Sequence, residues 1–319
     1  MRTRRLTADQ NGVDVAARIL RAGGLVALPT ETVYGLAADA ENAAAVAAIF
    51  TAKGRPADQP VIIHASSEQA PVYASIWSEA AAKLADAFWP GPLTLVVPRS
   101  ERALTQVTGG LESVGLRCPD HPVTGAVVRA VGTGLAAPSA NRYGHVSPTT
   151  AAHVLNDLDG RIDAVLDAGP CEVGLESTIV ELLPGQPATL LRRGGLGAEA
   201  IEEVLGRPLR DGVGGRVRAP GMVRSHYAPA APVAVVSESD LIRRIAAGLA
   251  PDVLVIAPGA VDHPRSVALG DDAAFAHGLY QALRMGDDPE VAQVLVCPPA
   301  TGPLLPAILD RLNRSSAPR

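Results

Sequence analysis

The chain has 319 residues, 47% of them hydrophobic, so it is long enough for two domains and apolar enough to form packed cores. Its net charge of -5 and its aromatic content of 3% argue against a protein that wraps nucleic acid or stacks bases. Three cysteines without a CxxC pair argue against a disulfide framework. Because no apolar run approaches a membrane span or a secretory signal, we expect a soluble cytoplasmic protein.

Residues 1–209 alternate short apolar runs with helical patterns, which predicts an α/β domain with a mixed sheet and flanking helices. The predicted strands lie at 25–28, 61–64, 93–97, 113–117, 134–137, 164–166, 178–183 and 189–191. The predicted helices lie at 42–53, 78–89, 123–131, 149–158 and 198–205, the second of them capped by Ser78. Polar residues follow several of these strands, and open α/β sheets bind ligands at such strand ends.

A segment rich in glycine and proline follows, and it lacks any periodicity. We expect a linker or lid over residues 210–232. From residue 233 the alternation resumes, which predicts a small doubly wound, Rossmann-like α/β domain over 233–319 without a dinucleotide motif. Its predicted strands and helices lie at 233–236, 253–257 and 291–296, and at 239–249, 273–285 and 304–313.

Two segments near the start combine residue types that suit an anionic substrate. The first, P-T-E-T-V-Y-G-L at 29–36, offers hydroxyls and a carboxylate at a strand end, although an ordinary strand-to-helix turn has a similar composition. In the second, Lys53 and Arg55 suit a polyphosphate, or they neutralise a helix C-terminus in solvent. His64, at the next strand end, is either structural or functional.

Further polar residues follow later strands. Arg117 needs an anionic partner, either a substrate carboxylate or a structural aspartate. The hydroxyls and amide at 137–148 suit ribose or phosphate oxygens but also form plain turns, and the Arg pair at 192–193 adds positive charge. The sequence contains no P-loop, H-E-x-x-H or G-x-S-x-G motif, so the corresponding enzyme classes have no support.

Taken in order, these segments resemble the YrdC-like family, and specifically its long two-domain threonylcarbamoyl-AMP synthases. The resemblance also includes H-Y-A-P at 226–229 and R-L-N-R at 311–314, so it extends over almost the whole chain. Val61 is a small departure, because the family often has Leu there. The resemblance implies a twisted mixed sheet around a cationic cavity. The matches in the first domain are P-T-E-T-V-Y-G-L (29–36), K-x-R-P-x-x-x-P (53–60), F-W-P-G-P-L-T (88–94), S-x-x-x-R (113–117), S-A-N (139–141) and S-T-I (177–179).

The resemblance implies that L-threonine, bicarbonate and ATP give threonylcarbamoyl-AMP and pyrophosphate, the first step of tRNA threonylcarbamoyladenosine modification. Mg²⁺ would enter with ATP without protein ligands, and a tRNA threonylcarbamoyl-transfer complex would receive the product. Because the reaction depends mainly on positioning, no residue is assigned as general acid or base. The residues implied around ATP are Lys53, Arg55, Gln59, Ser113, Ser139, Asn141, Ser147, Arg192 and Tyr227. Those implied around L-threonine are Thr32, His64, Arg117, Ala137 and Ser177.

Two other functions stay open on the sequence alone. A carbamoyl-transfer relative would use carbamoyl phosphate with the same nucleotide cavity, although such relatives usually carry extra catalytic domains. An RNA-binding module would use the cationic cavity for nucleic acid, which the net charge of -5 disfavours. We therefore expect a nucleotidyltransferase without membrane attachment or stable nucleic-acid binding.

Overall fold

The structure is a computed structural model that describes residues 2–213 and 227–317. The described residues form two compact units. The first comprises 2–143, 148–172 and 176–213, and the second comprises 144–147, 173–175 and 227–317. The middle of the predicted linker, 214–226, lies outside the described residues, so the predicted domain boundaries stay predictions.

Strands and helices alternate along most of the first unit, as the sequence predicts, except that β3 follows β2 directly and β8, β9 and β10 follow one another. Its strands are β1 (Arg4–Thr7), β2 (Val26–Leu28), β3 (Gly35–Asp39), β4 (Ile62–His64), β5 (Leu93–Pro98), β6 (Ser113–Arg117), β7 (Leu135–Ala136), β8 (Ala164–Asp167), β9 (Thr178–Glu181), β10 (Thr189–Arg192) and β11 (Arg210–Asp211). Its helices are α1 (Gln10–Arg21), α2 (Ala43–Lys53), α3 (Glu79–Phe88), α4 (Thr105–Thr108), α5 (Pro122–Val131), α6 (Ala151–Leu158) and α7 (Ala198–Leu205), with a 3-10 helix at Ala70–Tyr73.

Within the described residues, the strands of the first unit form one mixed sheet of 11 strands, in the order β1-β8-β2-β3-β7-β4-β6-β5-β9-β10-β11. One face packs its apolar side chains against α2, α3, α6 and α7. The other face is covered by α1 and α5 along β1, β8, β2, β3 and β7. Beyond that helix layer, the same face carries a separate small cluster of Ile62, Val96, Ile179 and Leu191. The mixed sheet with helices on its faces confirms the predicted fold class.

Capping residues explain several helix boundaries. Asn42 accepts hydrogen bonds from the backbone N–H groups of Ala44 and Ala45, and so begins α2. Gly54 ends this helix with φ of 64°, a conformation that glycine adopts without steric cost. Ser78 accepts from the N–H of Ala81 and begins α3. The predicted ends of these two helices are confirmed.

The segment after β2 differs from its prediction. It leads into strand β3, which pairs antiparallel with β2 and places Gly35 opposite Leu28. The strand-to-helix turn considered for residues 29–36 is therefore wrong. The sequence G-L-A-A-D of β3 lacks β-branched and aromatic residues, so its composition does not indicate a strand.

The second unit contains a smaller sheet whose strand pairs are all parallel. In its described part the sheet has four strands in the order β12-β15-β13-β14, which confirms the predicted doubly wound architecture. Strand β14 has no predicted counterpart, because it is short and largely exposed. The strands are β12 (Val233–Val235), β13 (Val253–Ala257), β14 (Ser266–Ala268) and β15 (Gln293–Val296). The helices are α8 (Glu238–Ala246), α9 (Asp272–Arg284) and α10 (Leu305–Ser315), with a 3-10 helix at Met285–Asp287.

Candidate active site

The carboxyl ends of β4 and β6 lie side by side. The two strands are parallel and place His64 opposite Arg117. Side chains alternate between the two faces of a strand, and Ile63 and Leu116 belong to the helix-covered core. His64 and Arg117 therefore project from the opposite face, at the kind of strand end where α/β sheets bind ligands.

The loop between β2 and β3 brings Thr32 to the same point. Nη2 of Arg117 donates a 2.9 Å hydrogen bond to Oγ1 of Thr32, and Nε donates a 3.2 Å bond to the carbonyl of Gly91. Oγ1 of Thr30 lies 2.8 Å from Oγ1 of Thr32 and holds the loop in shape. The fold thus brings together three residues that the resemblance placed around threonine, and all three are buried.

His64 is electrically neutral in this setting. Burial and the adjacent positive charge of Arg117 lower its pKa to about 3. A neutral imidazole presents one donor and one acceptor, which suits a hydroxyl better than a carboxylate. Of Thr32, His64 and Arg117, only Arg117 therefore carries a charge, and the other two are neutral hydrogen-bonding groups.

Ser177 is hydrogen-bonded to a second buried arginine, Arg192. Its Oγ lies 2.7 Å from Oγ1 of Thr94 and accepts a 3.1 Å hydrogen bond from Nη2 of Arg192. Nε of Arg192 donates to the carbonyl of Ser177 at 3.0 Å. Ser177, implied for threonine, and Arg192, implied for ATP, are thus directly hydrogen-bonded to each other. Ala137, also implied for threonine, lies against β4, where its N–H donates to the carbonyl of Ile62 at 2.9 Å.

Lys53 and Arg55 are buried, so the alternative of two cations in solvent is wrong. Lys53 is 2% exposed, and its Nζ donates to the carbonyls of Ser139 and Asn141. Burial, and then the charge of Arg55, lowers the pKa of Lys53 well below its usual value. Nη2 of Arg55 donates a 2.9 Å hydrogen bond to the carbonyl of Pro60. Both cations are therefore held by backbone oxygens, which phosphate oxygens resemble as acceptors.

The other polar residues implied for ATP in the first unit include Gln59, Ser139 and Ser113. Nε2 of Gln59 donates to the hydroxyl of Tyr143 at 2.6 Å, and the N–H of Tyr143 donates to the carbonyl of Lys53 at 2.9 Å. Ser139 forms an isolated antiparallel β-bridge with Gly35, the first residue of β3. Ser113, at the start of β6, is half-buried. Tyr143, which sequence reasoning missed, therefore fixes the backbone of the Lys53 loop.

Ser147 and Tyr227 belong to the second unit. Both are buried, and Tyr227 is 1% exposed with a positive φ of 63°, which non-glycine residues seldom adopt. Its ring stacks on Tyr280 with centroids 5.7 Å apart, and the guanidinium carbon of Arg311 lies 5.2 Å from its centroid. Arg311, the first residue of the R-L-N-R segment, therefore packs against the ring of Tyr227. The lid role of the linker stays a prediction.

Glu31 is the main site residue that the sequence reasoning left unassigned. Its carboxylate is 5% exposed, and Oε1 lies 2.7 Å from Nη2 of Arg117. The predicted need of Arg117 for an anionic partner is therefore met by a glutamate of this loop. The carboxylate in P-T-E-T-V-Y-G-L is visible in the sequence, but its pairing with a residue of β6 depends on the tertiary fold.

Other kinds of site find no support in the described ranges. In residues 2–213 and 227–317, no group of three or more His, Cys, Asp or Glu could hold a metal ion. The three cysteines are buried and unbridged, and burial raises the pKa of Cys171 to about 12. None of the helices in these ranges has the length and apolar character that crossing a bilayer requires.

His64 predicts how stability changes with pH. Because its pKa is about 3 in the folded chain and about 6.5 when unfolded, the unfolded state binds the extra proton between these values. Its contribution to stability is thus lost as the pH falls below about 6.5. In His64→Gln this loss is absent, so lowering the pH from 7 to 5 should shift the unfolding free energy by about 2 kcal/mol in favour of the variant.

Urea unfolding followed by tryptophan fluorescence measures this shift, because Trp77 and Trp89 both lie in the first unit. Identical pH dependence in the two proteins would show that His64 takes up its proton as readily in the folded chain as in the unfolded one.

Two family models match the chain, one described as "Telomere recombination" over residues 18–194 and one as "Threonylcarbamoyl-AMP synthase, C-terminal domain" over residues 196–317. The threonylcarbamoyl-AMP synthase of Pyrococcus abyssi is 42% identical over 322 residues, 96% of this chain and 94% of the relative. That of Bacillus subtilis is 40% identical over 336 residues, 99% and 96% of the two chains. The crystal structure of Pyrococcus abyssi Sua5 complexed with L-threonine matches with a TM-score of 0.91 and 40% identity, covering 99% of this chain and 98% of that one.

Proposed function

The chain belongs to the threonylcarbamoyl-AMP synthase family, and we propose that it converts L-threonine, bicarbonate and ATP into threonylcarbamoyl-AMP and pyrophosphate. The observation that carries the proposal is the buried cluster of Thr32, His64 and Arg117 at the ends of β4 and β6. The relatives' shared name and the threonine complex of the Pyrococcus abyssi protein support the same reaction. They favour it over carbamoyl transfer from carbamoyl phosphate and over RNA binding.

The amino acid is held by the guanidinium of Arg117 and by neutral hydrogen-bonding groups. Arg117 binds the α-carboxylate, because hydrogen bonds between a guanidinium and a carboxylate are charge-assisted and strong. Thr32, His64 and Ser177 receive the side-chain hydroxyl and the rest of the substrate with neutral donors and acceptors. The backbone at Ala137 completes this proposed threonine site.

ATP meets the buried cations. The carbamate of threonine is an anion and must attack the α-phosphorus of another anion, so positive charge is needed to screen the two reactants and the leaving pyrophosphate. Lys53 and Arg55 supply it on the triphosphate side, with Gln59 nearby. Arg192, which is hydrogen-bonded to Ser177, supplies it where nucleotide and amino acid meet.

Mg²⁺ is proposed to enter as its ATP complex, with phosphate oxygens and water as ligands. This ion usually keeps several waters and few protein ligands in nucleotide sites. Its chemistry there is to neutralise charge on the phosphates, while the residues of the chain orient the reactants.

The product is a reactive adenylate, which implies an acceptor. We propose that a tRNA threonylcarbamoyl-transfer complex in the cytoplasm receives it, with this chain binding no nucleic acid stably. The net charge of -5 supports a hand-over of the small molecule in preference to capture of tRNA by this chain.

Pyrophosphate release from ATP tests the proposed function. We expect release that requires both L-threonine and bicarbonate, together with a product that mass spectrometry identifies as threonylcarbamoyl-AMP. D-threonine is the control for the amino-acid site, because its inverted α-carbon cannot place carboxylate, amine and hydroxyl in the positions that L-threonine occupies. Release that is indifferent to threonine or to bicarbonate would refute the reaction.

A further inference from the structure

We propose that Glu31 is a catalytic residue that removes a proton from the α-ammonium group of the amino-acid substrate, so that the free amine can bond to the carbon of bicarbonate. The inference rests on the proposed function and assigns a base to it. The starting observation is that the carboxylate of Glu31, next to Arg117 and Thr32, is buried and accepts no hydrogen bond from the described residues.

The environment of Glu31 is unusual for a glutamate. Oε1 is 2.7 Å from Nη2 of Arg117, and the same nitrogen donates a hydrogen bond to Oγ1 of Thr32. Neither oxygen of Glu31 accepts a hydrogen bond from a described residue. Arg117 supplies a counter-charge, but a buried carboxylate that accepts no hydrogen bond is still rare, because the hydrogen bonds it made to water are not replaced. A donor that arrives with the substrate would fill the vacant acceptor positions.

The substrate carries such a donor. An α-amino acid is a zwitterion at neutral pH, with its ammonium group one carbon away from its carboxylate. A carboxylate bound at Arg117 therefore brings the ammonium group near the carboxylate that already lies against the same guanidinium. Arg117 and Glu31 together present a positive and a negative group, complementary to the two charges of the substrate.

The proton balance requires an acceptor. Carbamate formation from the ammonium form and bicarbonate yields the carbamate, one water and one proton. In the proposed step Glu31 takes that proton from nitrogen and becomes the neutral acid. The nitrogen lone pair then forms the N–C bond, and the bicarbonate C–O bond breaks. The departing hydroxide takes a second proton from nitrogen and leaves as water.

A cavity of about 220 Å³ lies along the segment that follows Arg117 in the chain. It is lined by Cys118, which follows Arg117, and by His121, which precedes α5. Oγ1 of Thr124 in α5 donates to the carbonyl of Pro29, so the start of this helix is tied to the loop that carries Glu31. Nδ1 of His121 is buried and has no hydrogen-bond partner among the described residues.

Several titratable and charged groups surround Glu31 and His121. Those that interact with Glu31 are Arg117, His121, Cys118 and Cys171. His121 also interacts with Glu172 and Asp120. Burial lowers the pKa of the His121 imidazole below its usual value.

The test compares pyrophosphate release by the wild type, Glu31→Gln and Glu31→Asp across a range of pH at saturating ATP and bicarbonate. We expect Glu31→Gln to lower kcat/KM for threonine roughly 100-fold or more at neutral pH, the range for loss of a general base. The deficit should shrink as the pH approaches the pKa of the threonine α-ammonium, because the substrate then arrives deprotonated. Glu31→Asp, which keeps a carboxylate, should lose less.

ATP affinity measured by calorimetry shows whether each variant is folded, and it should match that of the wild type. The matched control is Glu79→Gln, an exposed glutamate of α3, for which wild-type kinetics are expected. An active wild type with a Glu31→Gln deficit that is the same at every pH would overturn the base and leave Glu31 as a holder of Arg117. A wild type without threonine-dependent release would overturn the proposed function itself.

Discussion

Replacing Lys53 by Met is expected to weaken ATP binding by about 1.5–3 kcal/mol, a roughly 10- to 150-fold rise in Kd. The ammonium group is buried and held by the carbonyls of Ser139 and Asn141, so it is already directed at acceptor atoms before a nucleotide arrives. Methionine retains the volume and removes the charge. Isothermal titration with ATP and Mg²⁺ measures the change directly.

The chain supplies a matched control, because its other lysine is exposed. Lys83 lies on α3 and forms a 2.8 Å ion pair with Glu79, a surface pair of a kind that contributes little to stability. Lys83→Met should therefore leave the Kd for ATP unchanged. If Lys53→Met binds ATP within about twofold of the wild type, its ammonium group does not contact the nucleotide.

The parts of the fold that were predictable have local causes. Helix α2 could be placed because Asn42 and Gly54 mark its two ends, and strand β5 because its largely apolar run has the length of a strand. Strand β1 reads R-R-L-T, with one buried side chain, and it exists because it pairs with β8. Such an edge strand depends on a partner some 160 residues away and leaves no alternation in its own sequence.

The candidate site divides in the same way. The residue types around phosphate and carboxylate could be named from the sequence, because Lys, Arg and hydroxyl groups suit these anions wherever they occur. The ion pair of Glu31 with Arg117 and the stack of Tyr227 between Tyr280 and Arg311 join distant segments, and nothing local specifies either. A buried charge predicts that a partner exists but does not say which residue it is.

Arg117→Met is expected to lower the unfolding free energy of the first unit by about 3–5 kcal/mol, since it leaves the buried carboxylate of Glu31 without a counter-charge. The double variant Glu31→Gln/Arg117→Met should recover most of this loss, because the remaining groups are neutral. Arg102→Met is the control: it also pairs with a glutamate, Glu41, but the two side chains are 56% and 28% exposed, so a loss of at most about 1 kcal/mol is expected.

Urea unfolding followed by the fluorescence of the two tryptophans gives these free energies, and calorimetry with L-threonine gives the binding side. Both Arg117 variants should lose threonine affinity, since each lacks the guanidinium for the α-carboxylate, whereas stability should return in the double variant alone. The two measurements thus separate the roles of Arg117, one towards Glu31 and one towards the substrate. A double variant no more stable than Arg117→Met would mean that charge burial is not what makes Arg117 necessary to the fold. The threonine affinity would then stand as the separate measure of its binding role.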